Sequence, residues 1–163
     1  MNLRKLESSD LREYRQLRLL SLETDPNAFF LKLAQAKNYP DSFFLSELMD
    51  HFSEIFGFYG ALENEKLVGM ISLQPFENGK AQIFTLYVDP AHRKKGVGSS
   101  LLAHALLRAS QFSIPSIKLT VIAGNPAIPM YEALGFKRTH ENKGALRNEN
   151  GVFDELVFQR ELS

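Results

Sequence analysis

The chain has 163 residues, enough for one domain with a real core, and 44% hydrophobic with 23% charged residues is an ordinary globular composition. Nineteen basic and nineteen acidic side chains cancel, which excludes a bulk field for nucleic acid or an anionic membrane. There is no cysteine, hence no disulfide or thiol chemistry within the chain, and no apolar run of about 18 residues that would span a membrane. Met1 to Glu7 alternates charged and apolar groups, unlike a signal peptide, so the expectation is a cytoplasmic protein with one domain over residues 1–163.

Leu3 to Glu7 reads as a short strand. Asp10 with Glu13 offers an N-cap and capping-box partner for a helix carrying Leu11, Tyr14 and Leu17, which ends near Thr24 before Asp25-Pro26-Asn27. A second helix starts at Asp41, with Phe44, Leu48 and Phe52 on one stripe. The period then changes. Gly57 to Glu63 and Lys66 to Gln74 read as strands joined at Asn64-Glu65, and the near-continuous apolar run Ile83 to Val88 as a strand buried on both faces.

Asp89-Pro90 stops that strand, and after a basic glycine loop comes a helix with Leu101, Leu102, Ala105, Ala109 and Phe112 facing inward. Ile117, Leu119 and Val121 mark a strand with one buried face. Pro129 disfavours helical backbone at Ile128, so the next helix should start at or near Pro129 and end at Gly135. Phe136 to His140 and Val152 to Arg160 then read as strands around a polar loop, residues 142–151. The predicted order is β-α-α-β-β-β-α-β-α-β-β. This is an α/β (α+β) class: a mixed, mostly antiparallel sheet of about seven strands with helices on both faces.

The loop Arg93-Lys94-Lys95-Gly96-Val97-Gly98 has the form R-x-x-G-x-G and runs into a helix with Ser99 and Ser100 in its first turn. Free N–H groups at a helix start, glycines without Cβ and three cations together predict a phosphate or pyrophosphate site. A P-loop would need G-x-x-x-x-G-K-[S/T], and a dinucleotide fold G-x-G-x-x-G early in the chain; neither is present. His51, His92, His104 and His140 lack metal-ligand spacing, so no metal is expected.

At this loop the sequence resembles the GCN5-related N-acetyltransferase (GNAT) superfamily, whose signature is R/Q-x-x-G-x-G/A. Met130-Tyr131-Glu132-Ala133-Leu134-Gly135-Phe136 is similar to its L-Y-x-x-x-G-F, with methionine for leucine. Leu17-Arg18 and Asp25 to Phe29 also resemble bacterial members. The resemblance implies acetyl-CoA as cofactor, coenzyme A as product, and a primary amine of a small molecule or peptide as acceptor, attacking directly in a ternary complex. Backbone groups of Leu86, Tyr87 and Val88 would hold the pantetheine arm where the strand ending at Val88 splays from the next strand, and amides from Lys94 through Ser99 the pyrophosphate. The Val88 N–H would face the developing oxyanion, and Tyr131 would protonate the leaving thiolate. A phenol near pKa ~10 suits a thiolate near ~8.5.

Two positions depart from the pattern. Where many members carry an asparagine bonding the pantetheine, this chain has Gly124, with Asn125 one residue later; where they carry a glutamate base, it has Gln82. Glu77, His92, Asp154 and Glu155 stay open as bases. Phe29 and Phe30 are candidates for an apolar wall of the acceptor site. Homodimers are common in the superfamily, and the rival reading is a non-catalytic acyl-CoA-binding sensor with the same fold.

Overall fold

A computed structural model describes residues 1–26 and 31–162. Its strands are β1 (Asn2–Lys5), β2 (Gly57–Glu63), β3 (Lys66–Pro75), β4 (Ala81–Val88), β5 (Ser116–Ile122), β6 (Lys137–Asn148) and β7 (Gly151–Glu161). The α-helices are α1 (Leu11–Thr24), α2 (Leu33–Ala36), α3 (Asp41–Leu48), α4 (Val97–Gln111) and α5 (Ile128–Ala133). One seven-stranded sheet runs in the order β1-β2-β3-β4-β5-β7-β6. Only β4 and β5 pair in parallel; every other neighbouring pair is antiparallel.

Alternation along the central strands divides the core between the two faces of the sheet. Tyr14, Leu17, Phe44 and Leu48 of α1 and α3 pack with Phe58, Met70 and Tyr87 of the sheet. Leu101, Leu102, Ala105 and Ala109 of α4 and Tyr131 of α5 pack with Tyr59, Ile71, Leu73, Ile83 and Phe158 on the opposite face. The Asn64-Glu65 turn between β2 and β3 has φ of 51° and 67°, the backbone that a two-residue hairpin requires.

The feature that positions the site is a parting of strands. β4 and β5 pair only where Ala81–Ile83 faces Ile117–Leu119. Beyond that, β4 stays on β3 as far as Val88, while β5 stays on β7 as far as Ile122. A bulge between Ile71 and Leu73, where β3 meets β4, falls at the point of separation and bends the pair.

Several expectations need correction. Phe84 is 65% exposed, so β4 is not buried on both faces: past Ile83 it has lost β5, and Phe84 lines an open cavity instead of core. Phe112 lies just past the end of α4, where Arg108 covers its ring at 5.1 Å. Phe52 lies beyond α3, its ring 3.6 Å from the Lys5 ammonium. Asp10 does not cap α1 through its side chain; it ends the 3₁₀ turn Ser8–Asp10, and its carboxylate reaches back to accept from the N–H of Glu7, which caps that turn, at 2.8 Å. The expected polar loop 142–151 is mostly strand, because β6 extends to Asn148. β6 is an edge strand with almost every residue exposed, so pairing with β7 forms it and no apolar alternation marks it. The helix α2 carries no signal that predicted it.

Candidate functional site

The gap between β4 and β5 leaves backbone groups without strand partners. The Asp89 N–H donates to Val68 O at 2.9 Å, and Val88 stands opposite Gly69. Successive residues of an antiparallel strand alternate the direction of their polar groups. Val88 and Leu86 therefore turn theirs into the gap, while Tyr87 turns its own to β3. That corrects the expectation for Tyr87, whose backbone bonds belong to the sheet. The phenol of Tyr87 shares a hydrogen bond with Thr24 Oγ1 at 2.6 Å, and burial pushes its pKa up.

The basic loop divides its cations between two tasks. Arg93 is already committed: its Nε donates to Val88 O at 2.9 Å, its Nη2 to both oxygens of Asp25 at 3.1 Å, and it lies over the Tyr87 ring. Together, Arg93–Asp25 and Tyr87–Thr24 tie the C-terminal end of α1 to the end of β4. Lys94 and Lys95 are exposed and form no ion pair among the described residues. Positive charge for an anion comes from these two lysines.

Gly96 caps α4 with φ of 82°, a conformation that favours glycine, and no side chain caps the helix. The first helical bond is Ser100 N–H to Gly96 O at 2.9 Å, so the amides of Val97, Gly98 and Ser99 have no partner within the helix. A Cβ at Gly98 would stand 3.4 Å from Met130 Sδ and 3.7 Å from Val88 Cγ2, ordinary contact distances, so α5 and the end of β4 lie against the first turn of α4.

Tyr131 is set by the chain geometry after it. The Gly135 N–H bonds Glu132 O and the Phe136 N–H bonds Tyr131 O, both at 3.0 Å, with φ of 89° at Gly135. This is a Schellman ending, and it explains the spacing Y-x-x-x-G-F: glycine takes the left-handed position and Phe136 folds back toward Tyr131, ring centroids 6.2 Å apart. Arg160 Nε donates to Leu134 O at 3.1 Å, where a Cβ on Gly135 would stand 2.5 Å from it. Only 6% of Tyr131 is exposed, and its hydroxyl has no hydrogen-bond partner among the described residues. Burial raises its pKa to about 12. Asn125 is used locally: its Oδ1 accepts from the Ala127 N–H at 2.8 Å and starts the turn into α5, which begins at Ile128.

Each of the open base candidates has a position of its own. Asp154 accepts from Gly144 N–H at 2.8 Å and Glu155 from Asn142 at 3.0 Å, so both brace the β6–β7 hairpin. His92 Nε2 lies 3.2 Å from Glu63, and Glu77 sits in an exposed turn. Gln82 Nε2 donates to Pro75 O at 3.4 Å. Phe29 and Phe30 lie outside the described residues.

The sheet face that carries α1 and α3 also holds a cavity of about 270 Å3 between Tyr14, Arg18, Glu47, Ser72, Gln74 and Phe84. Glu47 accepts from Tyr14 Oη at 3.0 Å and from Arg18 Nε and Nη2 at 3.1 and 3.2 Å. Sequence reasoning passed over Glu47, Gln74 and Phe84. A signal was available in β3, where Ser72 and Gln74 put two polar side chains on one face of a strand otherwise buried and apolar.

Comparison with known proteins agrees with this geometry. The sequence profile described as "Acetyltransferase (GNAT) family" matches residues 14–136. The chain is 28% identical over 85 residues to the ribosomal protein bS18-alanine N-acetyltransferase of Escherichia coli, covering 52% of this chain and 57% of that one. It is 31% identical over 102 residues to a streptothricin acetyltransferase of Escherichia coli, covering 58% and 59%. Both matches span less than two thirds of the relative. A Salmonella typhimurium protein solved with its cofactor acetyl-CoA shares the fold at TM-score 0.84 and 18% identity, over 99% of this chain and 94% of that one. The chain belongs to the acetyltransferase (GNAT) family.

Proposed function

We propose that this protein is an acetyl-CoA-dependent N-acetyltransferase acting on a primary amine by direct transfer. The observation that carries the reading is the parted β4 edge running into the uncapped start of α4, with Tyr131 held beside it through α5. The residues present fit acetyl-CoA: the strand edge at Leu86, ahead of a Val88 carbonyl taken by Arg93, suits an amide-bearing arm, as in strand addition. Unpartnered amides at Val97, Gly98 and Ser99, with Lys94 and Lys95 unpaired, suit a pyrophosphate. When bound, acetyl-CoA supplies the acetyl group as a thioester, whose C–S bond breaks as the amine forms its C–N bond.

The chain's own part is positioning and proton handling. The Val88 N–H points into the gap as an oxyanion donor whose orientation is fixed before reaction. Its carbonyl is already held by Arg93, which stiffens that residue. Tyr131 Oη holds the proton for the leaving sulfur, and with its pKa at about 12 the phenol remains protonated throughout the working range. Burial raises a thiol's pKa as well, so donor and acceptor move in the same direction. The ammonium gives one proton to water before its nitrogen attacks, and the proton that the nitrogen sheds as the amide forms returns to the Tyr131 oxygen that protonated the sulfur.

Calorimetric titration with acetyl-CoA, with desulfo-CoA and NADH as controls, tests the reading. Binding of the two CoA species and not of NADH is the expected result. Failure of both CoA species to bind overturns the cofactor assignment, and the enzyme reading with it.

A further inference from the structure

The cavity beneath α1 and α3 contains a polar atom that the fold leaves unsatisfied. Gln74 is 5% exposed, its Nε2 donates to Ser72 Oγ at 2.8 Å, and its Oε1 is buried with no partner. A buried acceptor without a donor loses its hydration with nothing in return, so native structures rarely leave one unfilled. With Nε2 on Ser72 Oγ, the amide oxygen is the atom left facing the cavity. The lining carries one cation, Arg18, and two carboxylates, Glu47 and Asp50. Arg18 is engaged by Glu47, whose carboxylate has received three donors and has room for about one more. Asp50 adds a further carboxylate to the lining.

Position separates this cavity from the reacting centre. Thr85 and Phe84 of β4 form one wall. Gln74 stands opposite Gln82 and Gly69 opposite Val88. At about 3.3 Å per residue, roughly 16 Å of strand therefore separates Gln74 from the Val88 N–H at the backbone, shortened by the reach of the Gln74 side chain back toward Ser72. We propose that the cavity binds the distal end of the acceptor, and that the acceptor is an aliphatic amine with a second, cationic amino group about five methylenes from the nitrogen that is acetylated. Gln74 Oε1 and the Glu47 carboxylate accept hydrogen bonds from the distal ammonium, and the Phe84 ring covers the chain. This rests on the acetyltransferase reading and adds the acceptor class to it.

The test compares three amines of one chain length in protein saturated with CoA: cadaverine, pentylamine and δ-aminovalerate. They differ only in carrying an ammonium, a methyl or a carboxylate at the far end. Calorimetric binding should favour cadaverine by roughly tenfold or more over the other two, the scale of one charge-assisted hydrogen bond. Gln74→Leu should bring the ratio of cadaverine to pentylamine close to one. Gln74→Glu, of the same size and able to accept from Ser72, should keep or raise that ratio and serves if the leucine variant does not fold. Equal affinities for the three amines, or preference for δ-aminovalerate, overturns the proposal while CoA binding leaves the acetyltransferase reading intact. Failure of CoA itself to bind would overturn that reading instead.

Discussion

The two halves of the candidate site offer a ligand different surfaces. The β4–α4 side offers main chain: a strand edge freed from its neighbour, a helix start without a side-chain cap, and a glycine at φ of 82°. The α1–α3 side offers side chains, with Tyr14, Arg18, Glu47, Ser72, Gln74 and Phe84 drawn from four separate elements. Main-chain recognition needs only a local backbone path and tolerates drift in the residues around it. Side-chain recognition depends on identities brought together by tertiary packing, and such sites change readily between relatives. The contrast accounts for a family profile that matches residues 14–136 although the curated relatives carry different acceptor names.

The largest effect should come from the one side chain assigned chemistry on the main-chain side. Tyr131→Phe keeps the ring and its packing but removes the proton, so acetyl-CoA affinity should hold while kcat falls by roughly 10²–10⁴. Steady-state kinetics with a measured Kd decide it. A fall of less than tenfold removes Tyr131 from the role of general acid.

A smaller effect separates the cations of the loop. Lys94→Ala and Lys95→Ala should each weaken acetyl-CoA binding by roughly two- to fivefold, with the loss shrinking as salt is raised, because exposed charges are screened. Arg93→Ala should act first on stability, lowering the melting temperature by releasing α1 from β4. Its side chain is 41% exposed, so its ion pair with Asp25 is worth no more than about 1 kcal/mol. Loss of affinity confined to Arg93→Ala, with both lysine variants unaffected, would reverse this division.

The smallest effect lies away from both halves. Lys5 is pushed down to about 8 by desolvation, its Nζ buried against Phe52 without a hydrogen-bond partner. The unfolded chain holds a proton there up to the ordinary lysine range, so between about pH 8 and 10 the unfolded state binds more protons than the native one. Stability should therefore rise with pH across that window as far as Lys5 contributes. Lys5→Met should flatten the rise in denaturant midpoint from pH 8 to 10. An unchanged slope would show that the ammonium is solvated.

The sequence by itself determined the hairpin at Asn64-Glu65, the basic glycine loop and the Tyr131–Phe136 segment. All three are local: two residues at positive φ make the turn, a glycine N-cap opens the helix amides, and Gly135 closes a Schellman ending around Tyr131. The tertiary structure decided what distant residues do to one another. It committed Arg93 to Asp25, turned the Tyr87 backbone to β3, assigned Asn125 to the start of α5 and left Phe84 exposed where β4 loses β5. It also drew β6 out of a polar stretch, since an edge strand takes its hydrogen bonds from its neighbour and needs no apolar face. Above all it joined Glu47 to Gln74 across 26 intervening positions, because what faces a cavity depends on how strands and helices pack, and no spacing along the chain records that.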